Sequence, residues 1–119
     1  MEQIKDPPIN HERPFKTSTD VFMEAYAAFK HAKAQWDQAL YAPGMLYNDL
    51  PQDEDDRLCG AACSARQRLM ETPAPSLGTF IWKLRVFQQE DLHEADMAGE
   101  FVNHLVNDAE RLLREDRRG

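Results

Sequence analysis

The sequence predicts an all-α protein, an antiparallel bundle of about four helices preceded by a flexible N-terminal arm. Three observations support this fold class. Apolar residues recur at helical spacing in four segments, β-branched residues are few and scattered, and proline or glycine interrupts the chain between most of these segments. Because 119 residues is the length of one domain, we divide the chain into an arm over 1–17 and a single helical domain over 18–119.

The arm is predicted from its composition. Pro7, Pro8 and Pro14 stand among charged and polar side chains, which disfavours a regular helix. The arm also lacks the apolar stretch of a secretory signal. Elsewhere, no apolar run approaches the roughly 20 residues that cross a bilayer. We therefore expect a cytoplasmic protein with reduced thiols and no membrane partner.

The first helix is predicted over about 20–42, with Thr19 or Asp20 as its N-cap and Pro43-Gly44 as its end. Lys33 interrupts its apolar face once. Five large side chains recur at the spacing of one helical face, and they are Phe22, Tyr26, Phe29, Trp36 and Leu40.

The second helix is predicted over about 51–71. Its start is acidic, which suits the positive end of a helix macrodipole. Small and aliphatic residues form its apolar stripe: Leu58, Ala62, Ala65 and Leu69.

The third helix is predicted to begin after Ser76 as N-cap, beyond the break at Pro73 and Pro75. We expect it to be the most buried helix, with only a narrow solvent face formed by Lys83, Arg85, Gln88 and Gln89. Its buried face is predicted to consist of the large apolar residues Leu77, Phe80, Ile81, Leu84 and Phe87.

The fourth helix is predicted over about 94–114, and the lack of a proline before it allows a continuous bend near His93. Residues 114–119 are predicted to be a solvated tail. A strong helical stripe, widened by Val102, Val106 and Leu113, contains Met97, Phe101, Leu105, Ala109 and Leu112.

The formal net charge of -7 makes nonspecific binding to nucleic acid through phosphates an unexpected function. In an alternating bundle, the acidic starts of the second and fourth helices lie at the same end. These carboxylates either complement the helix macrodipoles or form a surface for a basic partner or for head-to-tail self-association. The residues at the second helix are Asp53, Glu54, Asp55 and Asp56.

The two cysteines, Cys59 and Cys63, are four residues apart and share one helical face. Their Cβ atoms are expected ~6 Å apart, wider than the roughly 3.5–4.5 Å of a disulfide. A structural zinc site needs four ligands, and no second Cys pair exists. We predict that this stretch is a small-residue packing seam, with a metal or redox pair as the alternative.

Motifs for catalysis are not found in the sequence. The glycines do not cluster into a phosphate loop, and no Gly-x-Ser-x-Gly elbow occurs. Glu100, His104 and Asp108 form a helical row that could ligate a metal if another helix supplied partners. The prediction is a protein that is not an enzyme and has no cofactor or metal.

Two places are predicted to contact a partner protein besides the acidic residues. Trp82 lies off the main stripe of the third helix, so it is either a second-layer core residue or an exposed anchor. A cluster around the Pro43-Gly44 turn either caps the core or forms a binding patch, and it consists of Tyr41, Met45, Leu46 and Tyr47.

The segment RLMETPAPSLGTFIWKL, residues 68–84, resembles a pattern in short uncharacterised helical proteins of alphaproteobacterial genomes and their prophages. In that pattern a helix ends in a Leu-rich turn, Thr-Pro-Ala-Pro follows, and a second helix opens with apolar residues and Lys-Leu. The resemblance implies an accessory role in a mobile element, and it implies no activity.

Taken together, the sequence predicts a small acidic, non-catalytic helical protein that acts by protein–protein binding or self-association. One alternative is a phage-type inhibitor whose acidic surface blocks a basic nucleic-acid-binding protein. Another is a metal-dependent helical-bundle enzyme built on the Glu100 row.

Overall fold

The computed structural model describes residues 16–42 and 50–118, and this part of the chain contains four α-helices and no strand. The predicted all-α class and number of helices are confirmed. A single 3₁₀ turn, Leu92–Glu94, separates the last two helices. The helices are α1 (Ser18–Leu40), α2 (Gln52–Glu71), α3 (Leu77–Gln89) and α4 (Ala98–Arg118).

Contacts between helices establish the antiparallel order. Near the end of α1, the Trp36 indole N–H donates to Asp55 at the start of α2 over 2.8 Å. Near the start of α1, Phe22 shares the core with Leu69 of the last turns of α2. The first two helices therefore form an antiparallel hairpin.

The later helices continue this alternation. Lys83 of α3 contacts the carbonyl of Thr72 at the end of α2, whereas Glu90 after α3 reaches back to Arg66, earlier in α2. The sequence order of these two contacts is reversed between α2 and α3, so the two helices are antiparallel. A contact between Lys83 and Asp108 joins α3 to α4.

Helix starts follow the side-chain capping that the sequence offers. Ser76 caps α3 as predicted, and its hydroxyl accepts from the backbone N–H of Thr79. At α1 the cap is Thr17, which forms a reciprocal capping box with Asp20, so the helix begins earlier than predicted. In turn, α4 continues to Arg118 through most of the segment predicted as a solvated tail.

The break between α3 and α4 is sharper than the predicted bend near His93. Asp91 adopts a left-handed backbone conformation with φ of 53°. Aspartate tolerates this conformation better than most residues because its short side chain bonds locally. Leu92, which follows, is completely buried. A local turn with a buried anchor therefore ends α3 without proline or glycine.

The core joins all four helices. The predicted faces of α1 and α2 are confirmed, since Phe22, Phe29, Leu58, Ala62 and Leu69 are buried. Lys33, which interrupts the α1 face, forms an ion pair with Glu90. The main cluster of buried residues is Phe22, Ala25, Phe29, Leu69, Met70, Ala74, Val86, Leu92, Phe101 and Leu105.

The orientation of α3 contradicts the sequence prediction. Lys83, expected in solvent, is 1% exposed. Leu77, Ile81 and Leu84, expected in the core, are 65%, 41% and 40% exposed. The packed face of α3 is instead centred on Lys83 and Val86, so α3 is not the most buried helix.

A network of charged and backbone groups surrounds the Lys83 ammonium. Its Nζ donates to the Thr72 carbonyl over 2.8 Å and to Asp108 Oδ2 over 2.6 Å. The other oxygen of Asp108 accepts from the Ala74 backbone N–H at 3.3 Å and from Arg111 Nη2 at 3.0 Å. Arg111 also donates to the Ala74 carbonyl. This network therefore fixes the α2–α3 turn, α3 and α4 to one another.

Burial and pairing act in opposite directions on Lys83. Loss of solvent around the ammonium lowers the pKa of Lys83, while the hydrogen bond and charge of Asp108 raise it. Because removal of one partner from a buried pair leaves the other charge uncompensated, such pairs are costly to break. The network therefore holds α3 in its observed orientation.

We expect Lys83→Ala to lower the free energy of unfolding by about 3–5 kcal/mol, because Asp108 would lose its buried cation. Urea unfolding followed by circular dichroism measures the change. Arg85→Ala, on the exposed side of the same helix, is the matched control and should change stability by less than about 0.5 kcal/mol. Equal effects of both substitutions would contradict a structural role for the pair.

Candidate protein-binding surfaces

The predicted turn cluster is described only at its first residue. Tyr41 is 77% exposed and its backbone N–H caps α1 through the Asp37 carbonyl. Met45, Leu46 and Tyr47 lie outside the described residues. A contact role for this turn stays a prediction.

The four predicted acidic residues at the start of α2 differ in their surroundings. Asp55 accepts the indole N–H of Trp36 and is half-buried. Glu54 pairs with Arg57, and Asp56 accepts from the Gln52 side chain over 2.8 Å. Asp53 is exposed and accepts from the next backbone N–H. Asp55 therefore holds the α1–α2 hairpin, while Asp53 and Asp56 remain accessible.

Glu90, which follows α3, is neutralised by two cations. It lies between Lys33 and Arg66, with N–O distances of 3.0 and 3.3 Å. Arg66 follows Asp56 by ten residues, which is about 15 Å along a helix. Because α3 is short, it ends beside the middle of the hairpin, away from the first turn of α2. A surface formed jointly by the acidic starts of the second and fourth helices stays a prediction.

Trp82 is packed on one side and exposed on the other, and its role as an anchor for a partner stays a prediction. Its ring packs against Tyr26 at a centroid distance of 5.0 Å and against Phe22 at 6.5 Å. The side chain is nevertheless 38% exposed. Beside it lies a cavity of about 220 Å³ between α1 and α3, which we term the aromatic cleft. Its lining residues are Tyr26, Phe29, Lys30, Trp82, Arg85, Val86 and Gln89.

The aromatic cleft is basic as well as aromatic. The Lys30 ammonium lies 5.9 Å from the centroid of the Tyr26 ring, within the range of a cation–π contact. Arg85 lines the other side. Neither cation has a carboxylate partner within residues 16–42 and 50–118. The cleft thus presents positive charge beside a partly exposed indole.

A second surface, between α3 and α4, was not predicted. Leu77, Ile81 and Leu84 follow i, i+4, i+7 spacing on α3, and all are exposed. On α4, exposed Val102, Val106, Ala109 and Leu113 follow i, i+4, i+7, i+11 spacing. Each set therefore forms a stripe along one side of its helix.

One end of each stripe borders a shared cavity. This cavity of about 640 Å³ lies between the start of α3 and the end of α4, and its lining includes Leu77, Ala109 and Leu113. We term this cavity the α3–α4 groove. Glu115 and Asp116 line its end. The sequence already indicates an exposed apolar surface on α4, because the apolar stripe of this helix is too wide for one buried face.

The cysteines lie on the half-buried side of α2. The two Sγ atoms are 3.9 Å apart, and Arg66 Nη2 approaches Cys63 Sγ at 3.7 Å. Burial raises the pKa of the Cys59 thiol, and its contact with Cys63 acts in the same direction. Ala62 between them is buried, whereas Gly60 is exposed with open space where a Cβ would lie. Within the CGAAC stretch, Ala62 is therefore packed and the two cysteines are half-buried, whereas Gly60 and Ala61 face solvent.

The carboxylate–histidine row on α4 is divided by burial. Asp108 is buried in the Lys83 network, His104 is half-buried, and Glu100 is exposed. Among the described residues, no group of three or more His, Cys, Asp or Glu side chains has the arrangement of a metal site. The oxygens of Asp108 are engaged by Lys83, Arg111 and a backbone N–H.

Comparisons with models of known protein families, with curated proteins and with solved structures give no match to this chain. Within the described ranges, no helix is both long enough and apolar enough to cross a membrane. The function must therefore be argued from the surfaces themselves.

We expect a variant with Asp53→Asn, Glu54→Gln and Asp56→Asn to lower the free energy of unfolding by at most about 1 kcal/mol, because these side chains make local surface contacts and a screened interaction with the helix macrodipole. Asp55→Ala should lower the free energy of unfolding by about 1.5–3 kcal/mol, since it removes a charged acceptor from the Trp36 indole. Thermal unfolding distinguishes the two variants. A stable Asp55→Ala protein would contradict a structural role for this residue.

We expect Cys59→Ala combined with Cys63→Ala to leave the fold intact and to change the free energy of unfolding by at most about 1.5 kcal/mol, because the thiols are only half-buried. Circular dichroism and urea unfolding provide the measurement. Loss of folding in this variant would indicate that the thiols do more than pack.

Proposed function

We propose that this chain is a non-catalytic acidic helical protein that acts by binding another protein, and that the α3–α4 groove is the contact. The observation that carries the proposal is a cavity of about 640 Å³ lined by exposed apolar side chains of both helices, Leu77 of α3 and Ala109 and Leu113 of α4. Isolated exposed apolar residues are normal on protein surfaces, whereas a contiguous apolar surface marks an interaction site. These three side chains border one cavity and therefore form one apolar surface.

The shape of the groove favours a helix as its occupant. On α4 the lining runs from Ala109 to Asp116, seven residues or about 10 Å along the axis. An amphipathic helix of about two turns matches this length and presents anchors at i, i+3 or i+4, and i+7. Filling the groove would extend the helical packing of α3 and α4 by one more helix.

The charge at the groove indicates what should flank those anchors. Glu115 and Asp116 line its end. Arg111 approaches Glu115 at 3.6 Å, while Asp116 is exposed. The chain as a whole carries a formal charge of -7. A partner helix with basic residues beside its apolar anchors therefore complements the site.

We expect a synthetic amphipathic helix, with leucines at i, i+3 and i+7 and lysines at its end, to bind the full chain. Leu113→Ser should weaken the affinity at least tenfold, because it replaces an exposed leucine that lines the groove with a small polar residue. Val21→Ser is the matched control, since Val21 is an exposed valine of α1, and it should leave the affinity unchanged. Isothermal titration calorimetry measures both.

Two results would overturn this proposal. One is equal binding by both serine variants, which would show that the peptide attaches elsewhere. The other is a concentration-dependent dimer in sedimentation that Leu113→Ser abolishes, since the groove would then be occupied by a second copy of the chain. Retained folding of the variants is checked by circular dichroism.

A further inference from the structure

We propose that the aromatic cleft between α1 and α3 is a second binding site, and that it takes an acidic segment of a protein inserting one apolar side chain beside Trp82. Five residues define it: Tyr26, Lys30, Trp82, Arg85 and Gln89. This site is separate from the α3–α4 groove and does not depend on it.

The charge of the cleft is the first argument. Lys30 and Arg85 flank the cavity, and its described lining contains no carboxylate. The nearest charged group along α1, Lys33, is already paired with Glu90. On a chain with formal charge of -7, two cations that line one cavity and have no carboxylate partner in the described ranges form a local positive patch. They complement a pair of Asp or Glu side chains spaced across the cavity.

The indole of Trp82 is the second argument. One side of the ring is packed against Tyr26 and Phe22, which fixes its orientation before any partner binds. The remaining 38% of the side chain is exposed. A rigid, partly exposed tryptophan beside charged groups is the residue type that dominates binding energy at protein interfaces. Preorganisation of this ring reduces the entropy lost on binding.

The size of the cleft is the third argument. Its volume of about 220 Å³ is below the roughly 300–1,000 Å³ of pockets that enclose small molecules. Phe29 and Val86, both buried, contribute to its lining. The cavity therefore has room for a single apolar side chain, with the rest of the partner lying across Lys30 and Arg85.

An acidic peptide fits these groups better than a nucleic acid strand does. The Lys30 ammonium lies over the Tyr26 ring at 5.9 Å from its centroid, where it competes with a stacking base. Trp82 leans against Tyr26 with an interplanar angle of 37°, and the ring nearly parallel to Tyr26, that of Phe22, is completely buried. The cleft therefore presents no two exposed parallel rings for successive bases. The net charge of the chain also repels a long polyanion.

The probe is a synthetic octapeptide with two Asp and two Glu residues around a central leucine, and its control carries Asn and Gln at those four positions. The indole N–H signal of Trp82 in the full chain, followed by nuclear magnetic resonance, reports binding. We expect saturable shifts with the acidic peptide, and affinity at least tenfold weaker for the neutral peptide and at raised salt.

Charge reversal locates the site. Lys30→Glu combined with Arg85→Glu should reduce affinity for the acidic peptide at least tenfold. Arg68→Glu combined with Arg114→Glu changes the net charge equally at exposed positions outside the cleft, and it should reduce affinity much less. Equal losses of affinity in the two variants would show that binding depends only on the net charge of the chain, and this result would overturn the proposal.

Two further outcomes would contradict binding of an acidic peptide at the aromatic cleft. Binding of the neutral peptide as tightly as the acidic one would remove the role of Lys30 and Arg85. Tighter binding of a ten-residue oligothymidylate, with larger shifts of the Trp82 signal, would assign the cleft to single-stranded nucleic acid. Trp82→Phe keeps an aromatic ring against Tyr26 but lacks the indole signal, so its affinity is measured by isothermal titration calorimetry. It should bind the acidic peptide severalfold more weakly while the chain stays folded; unchanged affinity would also contradict the proposal.

Discussion

The buried contact between Lys83 and Asp108 determines how the second half of the chain is arranged. A charge removed from water is tolerated only where partners surround it. Here the partners come from the end of α2, the turn after it, and α4. With Lys83 directed inward, the leucine and isoleucine stripe about 100–160° around the same helix must point outward. The apolar groove and the buried ion pair are therefore two results of one orientation.

This dependence explains which features the sequence could predict. The faces of α1 and α2 follow from aromatic and small apolar residues at helical spacing, and these faces are buried as expected. Ser76 is an N-cap because its hydroxyl and that of Thr79 satisfy backbone groups in a recognisable local pattern. The orientation of α3 depends instead on a carboxylate 25 residues later. A prediction from hydrophobic periodicity assigns every lysine to the solvent face of a helix. It therefore misplaces a lysine whose counterion lies on another helix.

The candidate sites also combine residues that the sequence predicts with residues that only the packing of helices brings together. Trp82 could be selected from sequence because a large aromatic residue off the main stripe has few explanations. Its cationic neighbours could not, since Lys30 and Arg85 meet only after α1 and α3 pack. The acidic residues of α2 are recognisable as a group from sequence, whereas the contact of Asp55 with Trp36 is not. The aromatic cleft and the α3–α4 groove lie on different flanks of α3, because Trp82 and Leu77 differ by about 140° around its axis.

The shortness of α3 has a consequence for local stability. It ends beside the middle of the α1–α2 hairpin. Within the described residues, the main cluster of buried residues contains no residue of α1 that follows Phe29 in the sequence. The outer half of the hairpin is held by Ala32, Leu58, Ala62 and the contact between Trp36 and Asp55. Small side chains bury little apolar area, so this half gains less from packing than the inner half does. Amide hydrogens there should exchange with solvent through local opening, well before the helices around Lys83 separate.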